Sequence, residues 1–439
     1  MKNSKSKVKQ TKTYSANHAG NVILHLSDLH FGYDRDTQAK AQRNTALQQL
    51  KSVINDQESG WKPTIICITG DIAMTASLPD YSCANKWLSD LLRTLNLTPD
   101  SLVICPGNHD VRRNIAEGYA PPRNNIEADR FLRVDHFRKQ VPPFKEFNNF
   151  CAQLSIPPYL VGRKKSYLTG VRLFNNIRFI CLNSAWFSQR NIVNSKQDDA
   201  NLLWLGLPIL EYLESKKTFL NLEHNPITPF TIALFHHPFD VLHDNERNQR
   251  PPRKSTQEYI AYRSHLILTG HDHGIPTDPT PIMTRAYHFR GGATYENSRY
   301  ENSFHLIRLE DNYLLERRFL YEPSSSKSLW SKIDDSSKLY YWDYSKRIIE
   351  NQEKQKELSK IENNYKIFEG IMLQADYENG LKTLTEGCEL LISVSSLLTP
   401  EEKTNIQTKY SDSVLNNLSI MTLEQGNKYK EIVLRILNI

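Results

Sequence analysis

Gly107-Asn108-His109-Asp110 puts an amide, an imidazole and a carboxylate in three consecutive residues, just after the apolar run Leu102-Val103-Ile104-Cys105. Four other short apolar runs end in a similar way. Val22 to Leu26 leads to Asp28 and His30, and Ile65 to Ile68 leads to Gly70-Asp71. Thr231 to Phe235 leads to His236-His237-Pro238, and Leu266 to Leu268 leads to Gly270-His271-Asp272-His273. In open α/β sheets, ligands bind outside the carboxyl ends of the strands. Carboxylate, amide and imidazole groups together suit borderline divalent metals. The pattern points to a metal-assisted hydrolase. Taken one at a time the motifs say less. Asp28 or Asp71 alone reads as a helix cap or turn residue, and His236-His237 alone reads as a hydrogen-bonded core pair. His25, His224, His243 and His265 read as structural or surface residues. No G-x-S-x-G elbow and no G-x-x-x-x-G-K-[ST] loop occurs, which disfavours a serine hydrolase and nucleotide cycling by a phosphate loop.

The elements that must carry these residues alternate. Residues 21–31 read as a strand and its ligand-bearing exit, followed by a helix at Asp36 to Ile54, with Leu47, Leu50 and Ile54 spaced by three and four. A strand at 64–69 precedes a helix at Ser82 to Leu95, and a third strand enters Gly107. This βαβαβ order implies a mostly parallel sheet. Residues 111–165 are arginine-rich (Arg112, Arg113, Arg123, Arg130, Arg133, Arg138) with a poor hydrophobic period. They read as an insertion with one helix at 128–139, placed where arginines could grip phosphate oxygens or simply as a solvated loop region. Strands are expected at 167–174 and 177–183 around Asn175-Asn176, a helix at Leu202 to Leu213, a second basic loop at 243–263, and further strands at 286–321. Residues 323–345, opening on Pro323-Ser324-Ser325-Ser326, read as a linker. Beyond it strands are expected to disappear. Leu358, Ile361, Tyr365, Phe368 and Met372 step by three and four, as do Leu381, Leu384, Cys388 and Leu391. Thr399-Pro400-Glu401-Glu402 is a helix-start signature. A helical domain of three or four helices is predicted over 346–439.

The chain has 439 residues, of which 39% are hydrophobic and 10% aromatic, enough for a sizeable core in two or three domains. Its formal net charge of +6 permits an anionic partner without requiring one. None of the six cysteines forms a CxxC pair, so neither a zinc ribbon nor a disulfide framework is suggested, and a reducing, cytoplasmic setting is expected. Residues 1–20 form a polar, lysine-bearing tail without the apolar core of a secretory signal. No apolar run is long enough for a membrane span.

The ordered set D-x-H, G-D, G-N-H-D, H-x-P and G-H-x-H resembles the calcineurin-like metallophosphoesterase superfamily, within it the cyclic-nucleotide and glycerophosphodiester branch, over about residues 21–310. The resemblance implies a four-layer αββα sandwich over residues 21–322, followed by the small all-α C-terminal bundle. It implies two divalent metal ions (Mn, Fe, Zn or Ni, with Mn favoured). Asp28, His30 and His273 would bind the first ion and Asn108, His236 and His271 the second, with Asp71 bridging. A metal-activated hydroxide would attack, and His109 would protonate the leaving oxygen with Asp110 orienting its imidazole. The expected activity is hydrolysis of phosphodiester bonds of nucleotide or nucleic-acid type. The alternatives are a nuclease that binds DNA or RNA through 111–165 and 243–263, and a non-catalytic scaffold built on the fold. The C-terminal helices offer a surface for a protein partner or for self-association.

Overall fold

The computed structural model describes residues 19–33, 36–188, 201–216, 230–248, 254–274, 278–282, 286–295, 301–311, 313–323, 329–333, 337–341, 344–395 and 400–438. Residues 1–18 of the expected basic tail, most of the Ser-rich run and Thr399 lie outside them. The described strands, numbered along the chain, begin with β1 (Val22–Leu26), β2 (Ile65–Thr69), β3 (Leu102–Cys105), β4 (Tyr159–Val161) and β5 (Lys164–Ser166). They continue with β6 (Gly170–Phe174), β7 (Ile177–Cys181), β8 (Phe230–Leu234), β9 (Leu266–Thr269) and β10 (Thr280–Ile282). The last are β11 (Ala286–Arg290), β12 (Ser303–Leu309), β13 (Tyr313–Tyr321), β14 (Trp330–Lys332) and β15 (Lys338–Tyr341).

Two mixed sheets result. The first runs β14-β13-β12-β1-β2-β3, with β15 also on β13, and the second runs β10-β11-β9-β8-β7-β6-β4-β5. The centre of each is parallel: β1, β2 and β3 in one, and β7, β8, β9 and β11 in the other. Antiparallel strands flank both centres, so the sheets are less uniformly parallel than the βαβαβ order alone implies. Side chains alternate across each strand. Ile23, Ile65, Cys67 and Val103 of the first sheet join Phe179, Ile232, Leu234, Leu266 and Leu268 of the second in one apolar layer. Val22, Leu24 and Leu26 face the other way and join Leu47, Leu50, Leu88 and Leu91 of the covering helices. Ile180, Leu182, Ala233 and Ile267 join Ile209, Leu210, Leu213 and Ile260 in the same way. Central parallel strands are therefore buried on both faces, which is why they read as unbroken apolar runs. The result is the expected four-layer αββα sandwich.

Local signals explain most element boundaries. Asp36 caps the helix Thr37–Asn55 by accepting from Ala39 N at 2.8 Å. Asn175 and Asn176, at φ 48° and 59°, turn β6 into β7 in the left-handed geometry of a tight hairpin. Other expectations need correction. The helix expected at 82–95 begins earlier, at Leu78, because Ser77 caps it with Pro79 in the first turn. The helix expected at 202–213 begins only at Leu207, where Pro208 opens it. The helix expected at 128–139 is two short pieces, Asn125–Phe131 and Phe137–Gln140.

Residues 111–165 are not a solvated insertion. Phe137, Phe144, Phe147 and Phe150 are buried in the helix-side core, and β4 and β5 belong to the second sheet. Phe137 and Phe144 sit on short turns with no fixed period, and Phe147 and Phe150 sit on a helix of only nine residues, Lys145–Gln153, so little repeat shows in the sequence. Nor is 323–345 a plain connector. Trp330 is buried against Phe304 and Tyr321, and its Nε1 donates to Ala46 O at 2.9 Å. With β14 and β15 both on β13, the sheet continues past the Ser-rich run.

The chain divides into two compact units, 1–342 and 343–439. The second contains the helices Tyr344–Leu373, Tyr377–Val394, Pro400–Asn417 and Leu423–Leu437. Its core joins Ile361, Phe368, Met372, Leu384, Cys388, Leu391, Tyr410, Tyr429 and Ile436. No described helix is long and apolar enough to cross a membrane.

If residues 111–165 are core, Phe150→Ala lowers stability by about 3–5 kcal/mol in denaturant unfolding. A change within about 0.5 kcal/mol, the usual effect at a surface position, would contradict that placement.

Candidate metal centre

Every predicted metal-ligating residue lies just beyond the carboxyl end of β1, β2, β3, β8 or β9, and the two sheets bring these five ends together. The backbone there is unusual. Asp28, His30, Asp71 and His271 take φ values of 52°, 43°, 52° and 71°. Residues other than glycine adopt this left-handed region at a cost of order 1–3 kcal/mol, and it clusters where a site dictates it. Cross-strand hydrogen bonds hold the turns: Asp28 N donates to Gly70 O at 3.1 Å and His30 N to Asp71 O at 2.9 Å. The glycines of the motifs are needed for close approach. A Cβ on Gly107 would stand 2.1 Å from Asp71 Oδ1, and one on Gly270 would stand 1.8 Å from Ser27 Oγ.

The side chains form overlapping groups. Asp28 Oδ1 lies 3.3 Å from His273 Nε2 and 3.6 Å from His30 Nε2. Asp28 Oδ2 accepts from Ser27 Oγ at 2.5 Å and from His271 N at 3.0 Å. Asp71 Oδ2 lies 3.4 Å from His236 Nε2 and 4.0 Å from His30 Nε2, while its Oδ1 accepts from His109 N at 2.8 Å. Asn108 Oδ1 lies 3.1 Å from His236 Nε2 and 3.0 Å from His237 Nε2. His236 Nδ1 lies 2.7 Å from Thr69 O. A carbonyl only accepts, so Nδ1 carries the proton and Nε2 is turned to the centre.

Burial makes these charges matter. Asp28 and Asp71 are 0% and 1% exposed, and among the described residues their ion pairs are all to histidine. Burial works against both carboxylates, but His236 above all, with the other rings, holds them well below the ordinary range. Burial also opposes charge on His236, yet Asp71 and Asp28 together raise its pKa to about 9. His30 goes the other way, lowered to about 4 chiefly by burial. His30 Nε2 is buried between two carboxylates and has no hydrogen-bond partner. A buried imidazole nitrogen without a partner is costly. Here it belongs to an oxygen-and-nitrogen donor set of the kind that divalent cations take. The residues present therefore fit a metal: Asp28, His30 and His273 form one group and His236, His237 and His271 another, each with donor atoms within 4.8 Å of one another, and Asp28, Asp71 and His236 form a third.

All seven predicted ligands are gathered. His109 stands beside them, edge-on to His30 with ring centroids 4.8 Å apart. Its expected partner is different. His109 Nδ1 lies 2.8 Å from Met74 O, not against Asp110. Asp110 instead accepts from the amides of Ile72 (3.2 Å), Ala73 (3.1 Å) and Gly107 (3.0 Å) and from the Tyr81 hydroxyl (2.9 Å). It ties the ends of β2 and β3 together. Burial and the Asp71 charge push its carboxyl up to about 6 even so.

Two residues near the centre lie outside the predicted set: His237, which the H-x-P pattern passes over in favour of His236, and Arg290. Adjacent strand residues face opposite ways, but His236 and His237 lie in a bend past the end of β8, and both rings reach Asn108. Arg290 joins Asp240 and Asp272 at 2.8 and 3.0 Å, across segments far apart in sequence. Elsewhere, His25 bonds Thr69 Oγ1 in the core, His243 stacks on Trp204 and His265 on Phe230. His224 lies outside the described residues. In the basic segment, Arg112, Arg123 and Arg133 pair with Glu146, Glu127 and Asp135.

The model of the family described as calcineurin-like phosphoesterase matches residues 22–274. No curated protein matches the chain. Similar solved structures include a dimetal phosphatase from Danio rerio (9% identity, TM-score 0.40, 74% of this chain and 100% of that one). They also include Vacuolar Protein Sorting 29 from Cryptosporidium parvum (10%, 0.27, 72% and 98%) and GAP50, the anchor in the inner membrane complex of Plasmodium (12%, 0.31, 75% and 94%).

Gly107→Ala, which drives a methyl into Asp71, is expected to lower divalent-metal binding in calorimetric titration, with unchanged binding the contrary result. In metal-free protein the raised pKa of His236 sets a sign. Its stabilising contribution is complete below the ordinary value of 6.5 and is lost as pH rises through about 9. The thermal midpoint of metal-free protein minus that of His236→Gln should therefore shrink from pH 6.5 to 9. A difference that grows over that window would contradict the assignment.

Proposed function

The chain belongs to the calcineurin-like phosphoesterase family, and from that premise we propose that it is a metal-dependent phosphodiesterase acting on a small diester of nucleotide type. The observation that carries the reading is the convergence of buried Asp28, His30, Asp71 and His236 with half-buried Asn108, His271 and His273, His30 Nε2 having no hydrogen-bond partner. Asp28, His30 and His273 would hold one ion, Asn108, His236 and His271 the other, and Asp71 both. When bound, two such ions neutralise phosphate charge and lower the pKa of a water for in-line attack.

The chain's own groups do the rest. Met74 O accepts the Nδ1 proton of His109 and so fixes that ring. Its Nε2 is then free to carry the proton that passes to the leaving oxygen. Ser27 Oγ and His271 N hold one oxygen of Asp28, and His109 N holds one oxygen of Asp71, so each carboxylate turns its other oxygen inward. Charge favours a diester over a monoester. A monoester carries a second negative charge, and Arg290, which reaches the His271-Asp272-His273 turn, is already engaged by Asp240 and Asp272. The pairing of Arg112, Arg123 and Arg133 with acidic neighbours favours a small substrate over a long nucleic-acid backbone. Mn²⁺ is the ion proposed first, and its identity rests on availability as much as on the donor set.

With Mn²⁺ added, hydrolysis of bis-p-nitrophenyl phosphate is expected to exceed that of p-nitrophenyl phosphate and to vanish in Asp71→Asn. His109→Ala should lose about 10²–10⁴-fold on a diester with an alkyl leaving group. The loss should be smaller on the nitrophenyl diester, whose leaving group departs without a proton. Preferential monoester cleavage, or equal losses on both diesters, would contradict the reading.

A further inference from the structure

Asn108 is the one neutral oxygen donor among the seven proposed ligands, and it carries a problem the others do not. A carboxylate presents oxygen whichever way it turns. A carboxamide can turn by half a rotation and present NH₂, which donates hydrogen bonds and cannot hold a cation. Something must select oxygen. The candidates are the groups that touch Oδ1, namely His236 Nε2 at 3.1 Å and His237 Nε2 at 3.0 Å. His236 Nδ1 carries its proton toward Thr69 O, and its Nε2 is the atom that would hold the cation, so with the ion bound it offers no hydrogen to Oδ1.

His237 is held differently. Its Nδ1 lies 2.8 Å from Ser184 Oγ, and its backbone N–H donates to that same Oγ at 3.0 Å. With Oγ accepting the amide hydrogen, the Ser184 hydroxyl can give its own hydrogen to Nδ1. The ring then carries its proton on Nε2, aimed at Asn108 Oδ1. The chain runs Ser184 O–H to Nδ1, then Nε2–H to Oδ1. Ser184 and His237 are both fully enclosed, at 0% and 1% exposure, so water does not compete for either bond. Ser184 follows β7 and His237 follows β8, neighbouring parallel strands that fix the two residues side by side.

We propose that His237, fixed by Ser184, is a positioning residue that holds the Asn108 carboxamide oxygen-inward, and so sets the affinity of the second of the two metal ions. Oδ1 has two lone pairs, so it can accept from Nε2–H and still bind a cation. Partners that orient metal ligands in this way typically change metal affinity by about 10–100-fold. The inference rests on the metal centre proposed above.

The test is calorimetric titration of metal-free full-length chain with Mn²⁺, with circular dichroism to show that each variant is folded. Wild type should bind two ions. His237→Ala should weaken one of them by about 10–100-fold and leave the other unchanged. Ser184→Ala, which frees the ring to move its proton to Nδ1, should weaken the same ion without truncating the ring. His237→Gln, whose side-chain amide can again donate to Oδ1, should recover part of the loss. In an Asn108→Asp background, where both oxygens are equivalent, His237→Ala should lose most of its effect. Two-ion binding unchanged in folded His237→Ala and in Ser184→Ala would overturn the inference while leaving the metal centre standing. So would a Gln variant no better than Ala, or an undiminished effect in the Asn108→Asp background. Wild type that binds no Mn²⁺ would overturn both.

Discussion

Two carboxylates, Asp28 and Asp71, are buried where the two sheets meet, and the architecture around them follows from that placement. Moving an isolated carboxylate out of water costs several kcal/mol even after relaxation. No lysine or arginine is paired to either among the described residues, so histidines supply the compensation. That compensation is incomplete. One ring, His236, is raised to about 9, while burial lowers His30 to about 4. The cluster is thus a set of donors with more negative charge and more free lone pairs than its own protons satisfy. A divalent cation resolves both imbalances, which links the fold to the proposed chemistry.

The backbone shows the same constraint. Four of the seven gathered ligands sit at positive φ, and Gly107 and Gly270 leave no room for a Cβ because Asp71 and Ser27-Asp28 occupy that space. Strain of this kind persists only where surrounding structure over-determines it. Here the surrounding structure is the paired centres of two sheets, buried on both faces. Asp110, which sequence reasoning assigned to the His109 ring, serves this framework instead by gathering three amides and the Tyr81 hydroxyl.

The site was more legible in the sequence than the scaffold that carries it. Asp28, His30, Asp71, Asn108, His236, His271 and His273 each follow an apolar run, and a run's end is a local signal. What could not be read was anything that depends on two distant segments. The Met74 carbonyl beside His109, the Ser184 hydroxyl beside His237 and the Arg290 bridge all arise from tertiary approach. The parallel strands were readable as unbroken apolar runs and their helices from period. The aromatic core of 137–150 was not, because Phe137 and Phe144 sit on short turns and the helix that carries Phe147 and Phe150 has only nine residues. The strands after the Ser-rich run were missed for a related reason: a three-residue strand such as Trp330–Lys332 is too short to show alternation.

The most direct test of the central claim is anomalous scattering at the manganese edge from crystals of the chain grown with Mn²⁺. The account predicts two peaks about 3.5–4 Å apart, with Asp71 between them, Asp28, His30 and His273 around one and Asn108, His236 and His271 around the other. A single peak, or peaks away from these side chains, would contradict it.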